Sequence, residues 1–432
     1  MAQPKEDQII AAISSVLPAS RIRELARELG VVMRQRKVDV VCLVQALVLG
    51  FRVDRVRSLS GLRRAYQLMT GQSLARSSFH GRFTAPLAEL MRRLTVDALQ
   101  VAAAKRHSLR DAFKPFIEVL AIDSSLVRLH AGLKKHYPSV WTNHTEASAK
   151  LTMVANVVGR GPKTLAINPG SRHDVHLLRP GKWLRGCLLI FDLGFYQARL
   201  FKSIDAQGGY FLSRLKKQGN PLVIKSHRPE HRHLEGKKLR DHQDLVAQSI
   251  VDVEGEVTYL TKHQTPFWHT VRFRVVAVYN SKFGCWHRYI TNLPPELLPA
   301  ENVTAIYAAR WEIELLFREL KTAYRLADMP SGNLHATQAL LYAAVLTLLT
   351  SRKLLDLVQT RAALPVCRLP IDRWARLFAT IASDLLRLLS ARHCDEQRSR
   401  TVLEFLCREA PDPNRSRRLL PERAQDGRIA FA

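Results

Sequence analysis

Two apolar runs of strand character, Phe116–Ile122 and Cys187–Phe191, each lead directly into an aspartate, Asp123 and Asp192. A carboxylate inside an apolar strand is costly, whereas one at a strand end can meet a cation. Between them the chain reads as two more strands, Leu151–Val158 and Thr164–Ile167, joined by a Gly159-Arg-Gly161 turn, and then a short helical piece over His173–Leu184. The order is β-β-β-α-β. Gly194 lets the chain turn sharply beside Asp192. Either aspartate alone reads equally well as a helix cap or turn former. Neighbouring strands lie about 4.8 Å apart, so two aspartates ending adjacent parallel strands can share hard divalent cations.

A third acid comes from the segment Tyr307-Ala-Ala-Arg310-Trp-Glu-Ile-Glu314-Leu-Leu-Phe-Arg-Glu-Leu-Lys321. At roughly 100° per residue on a helix, Tyr307, Arg310, Glu314 and Lys321 share one narrow face. Ile306, Ile313, Phe317, Leu320 and Tyr324 form an adjoining apolar stripe suited to packing against a sheet. Glu312 and Glu319 project well away, which leaves Glu314 as the acid among the cations. A solvated face of i,i+4 ion pairs is the bland alternative. The charge balance weighs against it: 66 Lys+Arg against 38 Asp+Glu leave a formal net charge of +28 on 432 residues. Such a chain needs a polyanionic partner. Nucleic acid fits better than a membrane surface, because the charge is spread along the chain.

The length allows two to four domains, and 47% hydrophobic residues are ample for buried cores. Residues 1–112 read as a helical DNA-binding domain, with Ser20 as an N-cap for Arg21–Leu29, a stop at Gly30 and an apolar helix over Val38–Phe51. Leu59–Met69 and Leu74–Phe83 flank Thr70-Gly71-Gln72 in a helix-turn-helix-like pattern, the second segment carrying Arg76, Ser77, Ser78, His80 and Arg82. Residues 113–207 and 297–352 read as two parts of an α/β core with the opening strand order of a ribonuclease-H-like fold. Residues 208–296, starting with Tyr210–Leu215, read as a β-rich insertion whose basic, histidine-bearing stretch suits phosphate contact better than metal. Residues 353–410 continue helical, and 411–432 form a basic tail expected to be poorly ordered. The apolar segments Val38–Phe51 and Ala336–Leu349 are interrupted or short, so no membrane span is expected. The N-terminus lacks the basic start of a signal peptide, which points to the cytoplasm. Six scattered cysteines with no C-x-x-C indicate neither a disulfide framework nor a zinc site.

Asp123, Asp192 and Glu314, together with the spacing Tyr307-x2-Arg310-x3-Glu314-x6-Lys321, resemble the DDE transposases of the IS4 family. The resemblance spans about residues 116–350 and covers the β-rich insertion between the second aspartate and the glutamate. It implies a ribonuclease-H-like catalytic core interrupted by that insertion, with helical domains at both ends. The implied activity is cut-and-paste movement of an insertion sequence: cleavage at terminal inverted repeats, then strand transfer into target DNA. Asp123, Asp192 and Glu314 would hold two Mg²⁺ ions, with Mn²⁺ as a substitute. Tyr307, Arg310 and Lys321 would grip phosphates near the cleaved end, and Arg318 and Arg325 extend that face by helical projection. Trp286, preceding Tyr307 in the insertion, is placed to stack on a flipped base; Trp268 is an alternative, and an alignment shifted by one would put His287 there. Two ends processed together imply a homodimer on double-stranded DNA. A metal-dependent nuclease or resolvase, or a decayed DNA-binding derivative, are the competing readings.

Overall fold

The computed structural model describes residues 7–31, 38–52, 57–104, 113–140, 145–159, 161–174, 177–246, 250–261, 267–327, 329, 331–363, 369–390 and 396–412. Six helices come first: α1 (Gln8–Val16), α2 (Ala19–Glu28), α3 (Val40–Leu49), α4 (Leu59–Thr70), α5 (Arg76–His80) and α6 (Ala85–Ala104). Caps define their starts. The Asp7 carboxylate accepts from the amides of Ile9 and Ile10, Asp39 from those of Val41 and Cys42, and Ser58 from that of Gly61. The aspartate that interrupts the apolar run Val38–Phe51 is thus the cap of its helix. Ser20 has no such role: α2 starts one residue earlier after Pro18, whose fixed φ serves as the helix entry. Gly30 and Gly71 take positive φ where α2 and α4 stop.

A sheet of nine strands follows: β1 (Val119–Arg128), β2 (Ser148–Asn156), β3 (Gly161–Pro169), β4 (Leu188–Phe191), then, after α7 (Ala198–Ala206), β5 (Tyr210–Arg214), β6 (Leu222–Ser226), β7 (Ile250–Thr261), β8 (Phe267–Asn280) and β9 (Cys285–Thr291). The spatial order is β3-β2-β1-β4-β5-β9-β8-β7-β6. β4 lies parallel to both β1 and β5, and every other pairing is antiparallel. Two expectations change here. Among the described residues of 173–184 there is no α-helix, only a 3-10 turn at Lys182–Leu184; Pro180-Gly181 breaks the segment, and the helix comes after β4, as α7. Tyr210–Leu215, assigned to the insertion, supplies β5, which pairs in register with β4 from Leu188↔Tyr210 to Phe191↔Ser213. Nor do the later strands form a sheet of their own, since Leu212↔Thr291 joins β9 to β5. A period of two reveals a strand but not its neighbour.

Side-chain alternation splits the core in two. Val119 and Ala121 of β1 and Leu188 and Ile190 of β4 join a cluster built mainly from the N- and C-terminal helices. Leu120, Ile122, Leu189 and Phe191 face the opposite way, into a cluster with α7 and the inner residues of β7 and β8. The first face is covered by α8 (Val303–Ala308), α9 (Trp311–Thr322) and α10 (Leu334–Ala362), with α11 (Ile371–Ser390) and α12 (Glu396–Glu409) packed outside them. α10 is long and apolar enough to cross a membrane, yet 78% of its most apolar window is buried inside the protein. It touches α1, α3, α6, α11 and α12, which makes it the shared axis of the helical layers.

Candidate active site

Strand parity determines where the two aspartates point. The parallel ladder between β1 and β4 ends at Ile122↔Phe191, and Asp123 and Asp192 are the next residue on each strand. Counting by twos from Ala121 and Ile190, both project toward the helical face. Asp123 does not end its strand, as the sequence suggested: β1 runs on to Arg128 along β2, with Asp123 opposite Met153. It stands where β1 outruns β4. Asp192 does leave its strand, and it caps the following 3-10 turn by accepting the Gly194 amide at 2.9 Å.

Glu314 arrives from α9, which packs on β1 and β2. The segment carrying it is not one helix. Between α8 and α9 the amides of Ala309, Arg310, Glu312 and Ile313 bond to the carbonyls three residues back, a 3-10 tightening of the turn. The face still assembles. Arg310 Nη2 lies 2.6 Å from Glu314 Oε1 and its Nη1 lies 3.9 Å from Asp123 Oδ2. The guanidinium also sits 5.8 Å from the Tyr307 ring centroid. All five residues of the expected apolar stripe, Ile306, Ile313, Phe317, Leu320 and Tyr324, are buried.

The electrostatics single out Asp123. Burial pushes its carboxyl up to about 6; the Ser124 amide and Arg310 oppose the rise, and the charges of Asp192 and Glu314 add to it. Lys321 is lowered by burial and partly restored by the charge of Asp123. Crowded hard oxygens on one sheet face are the donor set that suits a divalent cation such as Mg²⁺. Among the described residues no three His, Cys, Asp or Glu side chains form a preassembled metal cluster, and the Arg310 guanidinium lies between Asp123 and Glu314. The donors fit a hard cation by chemistry, provided Arg310 withdraws.

The flanking candidates divide. Arg318 pairs with Asp372 of α11 at 2.7 Å. Arg325 lies beyond the end of α9, at φ 59°, so the helical projection that put it on the phosphate face does not apply. Glu312 and Glu319 are buried, and Glu319 bonds Arg352 of α10 and the Tyr324 hydroxyl. Trp286 is half-buried on β9, edge-on to Tyr279 at 5.4 Å and packed on the second core cluster; the side chain of Trp268 lies outside the described residues. α5, the second half of the helix-turn-helix-like pattern, is only five residues long. Its Arg76, Ser77, Ser78 and His80 are nevertheless exposed, as is Arg82 just beyond it.

Two residues beside the site escaped the sequence reading. Arg214, at the end of β5, bonds His287 of β9 and lies 6.0 Å from the Tyr307 ring centroid, on which Tyr289 also packs at 5.2 Å. Asp174, between β3 and β4, accepts the Ser124 hydroxyl at 2.6 Å. Neither belongs to a spaced motif; the strand order alone brings them in.

The family model described as "Transposase DDE domain" matches residues 114–350. The transposase for insertion sequence element IS231B of Bacillus thuringiensis subsp. berliner is 23% identical over 350 residues, 72% of each chain. That for IS231E of Bacillus thuringiensis subsp. finitimus is 25% identical over 352 residues, again 72% of each. That for IS1151 of Clostridium perfringens is 21% identical, over 68% of this chain and 69% of the relative. A cryo-EM structure of a piggyBac transposase synaptic complex with hairpin DNA covers 95% of this chain and 87% of that one, at 10% identity and a TM-score of 0.48. With more than half its length matched by the family model, and its carboxylates Asp123 and Asp192 on one sheet face beneath the Glu314 helix, this chain belongs to the DDE transposases, as an IS4-like member.

Proposed function

We propose that the protein moves an insertion sequence by cut-and-paste, cleaving DNA at terminal inverted repeats and joining the freed 3′ ends to target DNA. Membership of the DDE family carries divalent-metal dependence with it. The observation that supports the site assignment is the shared face of Asp123, Asp192 and Glu314, with the Asp123 carboxyl raised by burial and by the charges of the other two. Two Mg²⁺ ions, when bound by these three residues, would supply activation of the attacking oxygen and stabilisation of the leaving one.

The chain's own side chains do the rest. Tyr307, Arg310 and Lys321 line the approach to the acids and grip phosphates at the cleaved end, with Arg214 as a fourth contact beside Tyr307. Arg310 bonds Glu314 and lies beside Asp123, so an arriving phosphate competes with the carboxylates for it, and arriving cations compete with it for the carboxylates. Binding of an end would draw the guanidinium off the carboxylates and open them to cations. Trp286 remains the candidate for stacking on a flipped base; Arg318, held by Asp372, would have to break that pair to reach DNA.

The order β3-β2-β1-β4-β5, with α9 over the central strands, supports reading the core as ribonuclease-H-like, with β6–β9 as an insertion that extends its sheet. The domain scheme follows: an N-terminal helical DNA-binding region, the interrupted core, and a C-terminal helical region. Two copies acting on two ends would form a homodimer on DNA.

The test uses the full chain with Mg²⁺ and a duplex bearing the repeats that flank its gene. Release of 3′-hydroxyl ends is expected, as is joining of pre-cleaved ends to a plasmid. Both should vanish in Asp192→Ala. Cleavage without joining would favour a nuclease, and cleavage surviving in Asp192→Ala would sink the site assignment.

A further inference from the structure

Asp123 works on the helical face of the sheet, but its neighbour Ser124 points to the other face, by strand alternation. On that back face Ser124 meets a small polar cluster that the proposed chemistry does not use. The Ser124 hydroxyl donates to Asp174 Oδ1 at 2.6 Å, and Lys150 Nζ lies 3.0 Å from the same oxygen. Lys150 also donates to the Arg172 carbonyl at 2.6 Å, which ties the cluster to the loop leaving β3. Its side chain is only 11% exposed and that of Asp174 25%. Lys150 and Thr152 share a face of β2, and Thr152 is the register partner of Ser124, so the lysine reaches Asp174 along the same side of the sheet.

Asp174 also closes on the end of β4. A Cβ built at Gly194 would lie 3.1 Å from Asp192 Oδ1 and 3.3 Å from Asp174 Oδ2. A side chain at 194 would therefore press on both carboxylates, each of which would have to give by a few tenths of an ångström. On β1, the Ser124 amide donates to Asp123 Oδ1 at 2.7 Å, which leaves Oδ2 as the oxygen turned toward Arg310. One side chain in the β3–β4 loop thus holds Ser124 by its hydroxyl, while Ser124 holds Asp123 by its amide.

We infer that Asp174 is a positioning residue for the metal site, gripping β1 from behind through Ser124 and so setting the rotamer in which Asp123 presents an oxygen to a divalent cation. This rests on the reading of Asp123, Asp192 and Glu314 as the metal-binding acids. Outer-shell partners of metal ligands typically contribute about 10- to 100-fold in metal affinity or activity. Lys150 neutralises Asp174 and is not part of the relay.

The test is Mn²⁺ binding to the full chain carrying a pre-cleaved end duplex, followed by electron paramagnetic resonance titration against the duplex alone, alongside the Mg²⁺ concentration needed for half-maximal end cleavage. Asp174→Ala and Ser124→Ala are each expected to weaken Mn²⁺ binding at least about tenfold and to raise the Mg²⁺ requirement. The double variant should be no worse than either single one, because both cut the same connection. If Asp174→Ala fails to fold, Ser124→Ala still carries the test. Mn²⁺ affinity unchanged in Ser124→Ala, or additive losses in the double variant, would overturn the inference. Asp123→Asn separates the two readings: if the unaltered chain binds Mn²⁺ no better than Asp123→Asn, the metal site itself is wrong; if only Asp123→Asn loses binding, Asp174 alone is misassigned.

Discussion

At the scale of single residues, the function assigned to Asp123 runs against stability. Its carboxyl is buried to the extent that its pKa rises to about 6 from an ordinary value near 3.8. An acid whose folded-state pKa is raised binds its proton more tightly folded than unfolded, so it lowers stability as pH climbs from about 4 to 6 and imposes the full penalty above that. Asp123→Asn should therefore abolish cleavage and yet stabilise the chain by about 1–3 kcal/mol at pH 7.5, a gain that disappears at pH 4. Thermal unfolding at the two pH values checks this; equal melting temperatures at pH 7.5 would refute it. Asp123 and Asp192 were legible because each follows an apolar run. Asp174 and Arg214 were not, because a loop acid and a strand-end arginine look ordinary until the fold sets them beside Ser124 and Tyr307.

At the scale of elements, α9 is anchored by its hidden side. Glu319 and Arg352 form a buried ion pair with side chains only 1% and 9% exposed. The Tyr324 hydroxyl donates to Glu319 at 2.5 Å and lies 2.6 Å from Ser351 Oγ, which in turn accepts from the Trp374 indole of α11 at 2.8 Å. This network ties α9 to α10 and α11 and so fixes where Glu314 stands. Burial outweighs Arg352 and keeps the Glu319 carboxyl above its ordinary range. Arg352→Met removes the compensating charge and should cost about 3–5 kcal/mol at neutral pH, seen as a lower urea midpoint. Without Arg352 the acid is raised further, so the loss should shrink as pH falls and Glu319 takes up a proton; a loss independent of pH would count against this account. Helical projection rightly turned Glu319 away from the site face, but periodicity carried no hint of its partner, which lies 33 positions away in sequence. The same projection failed for Arg325, where the helix had already ended.

At the scale of the whole molecule, the helical ends and the sheet share one continuous core, which runs from Ile9 of α1 to Leu406 of α12. Phe378 of α11 stacks on Phe51 at 6.3 Å and meets Tyr324 edge-on at 5.7 Å. It thereby joins the C-terminal helices, the N-terminal helices and the segment just after α9. Phe378→Ala should cost about 3–5 kcal/mol and weaken end cleavage along with stability; a folded chain with an unchanged denaturation midpoint would show that the C-terminal helices pack independently. Sequence alone determined the α/β class and the helical ends, and it singled out a polyanionic partner and Asp123, Asp192 and Glu314 as the candidate acids, because burial and periodicity are local and a spaced motif survives in one dimension. Tertiary structure decided which strands pair, that β5 belongs beside β4, that β6–β9 extend one sheet, and that Asp174, Arg214 and Arg352 stand where they do. Those are contacts between residues far apart in the chain, set by register and by the packing of one layer on another, and no local pattern encodes them.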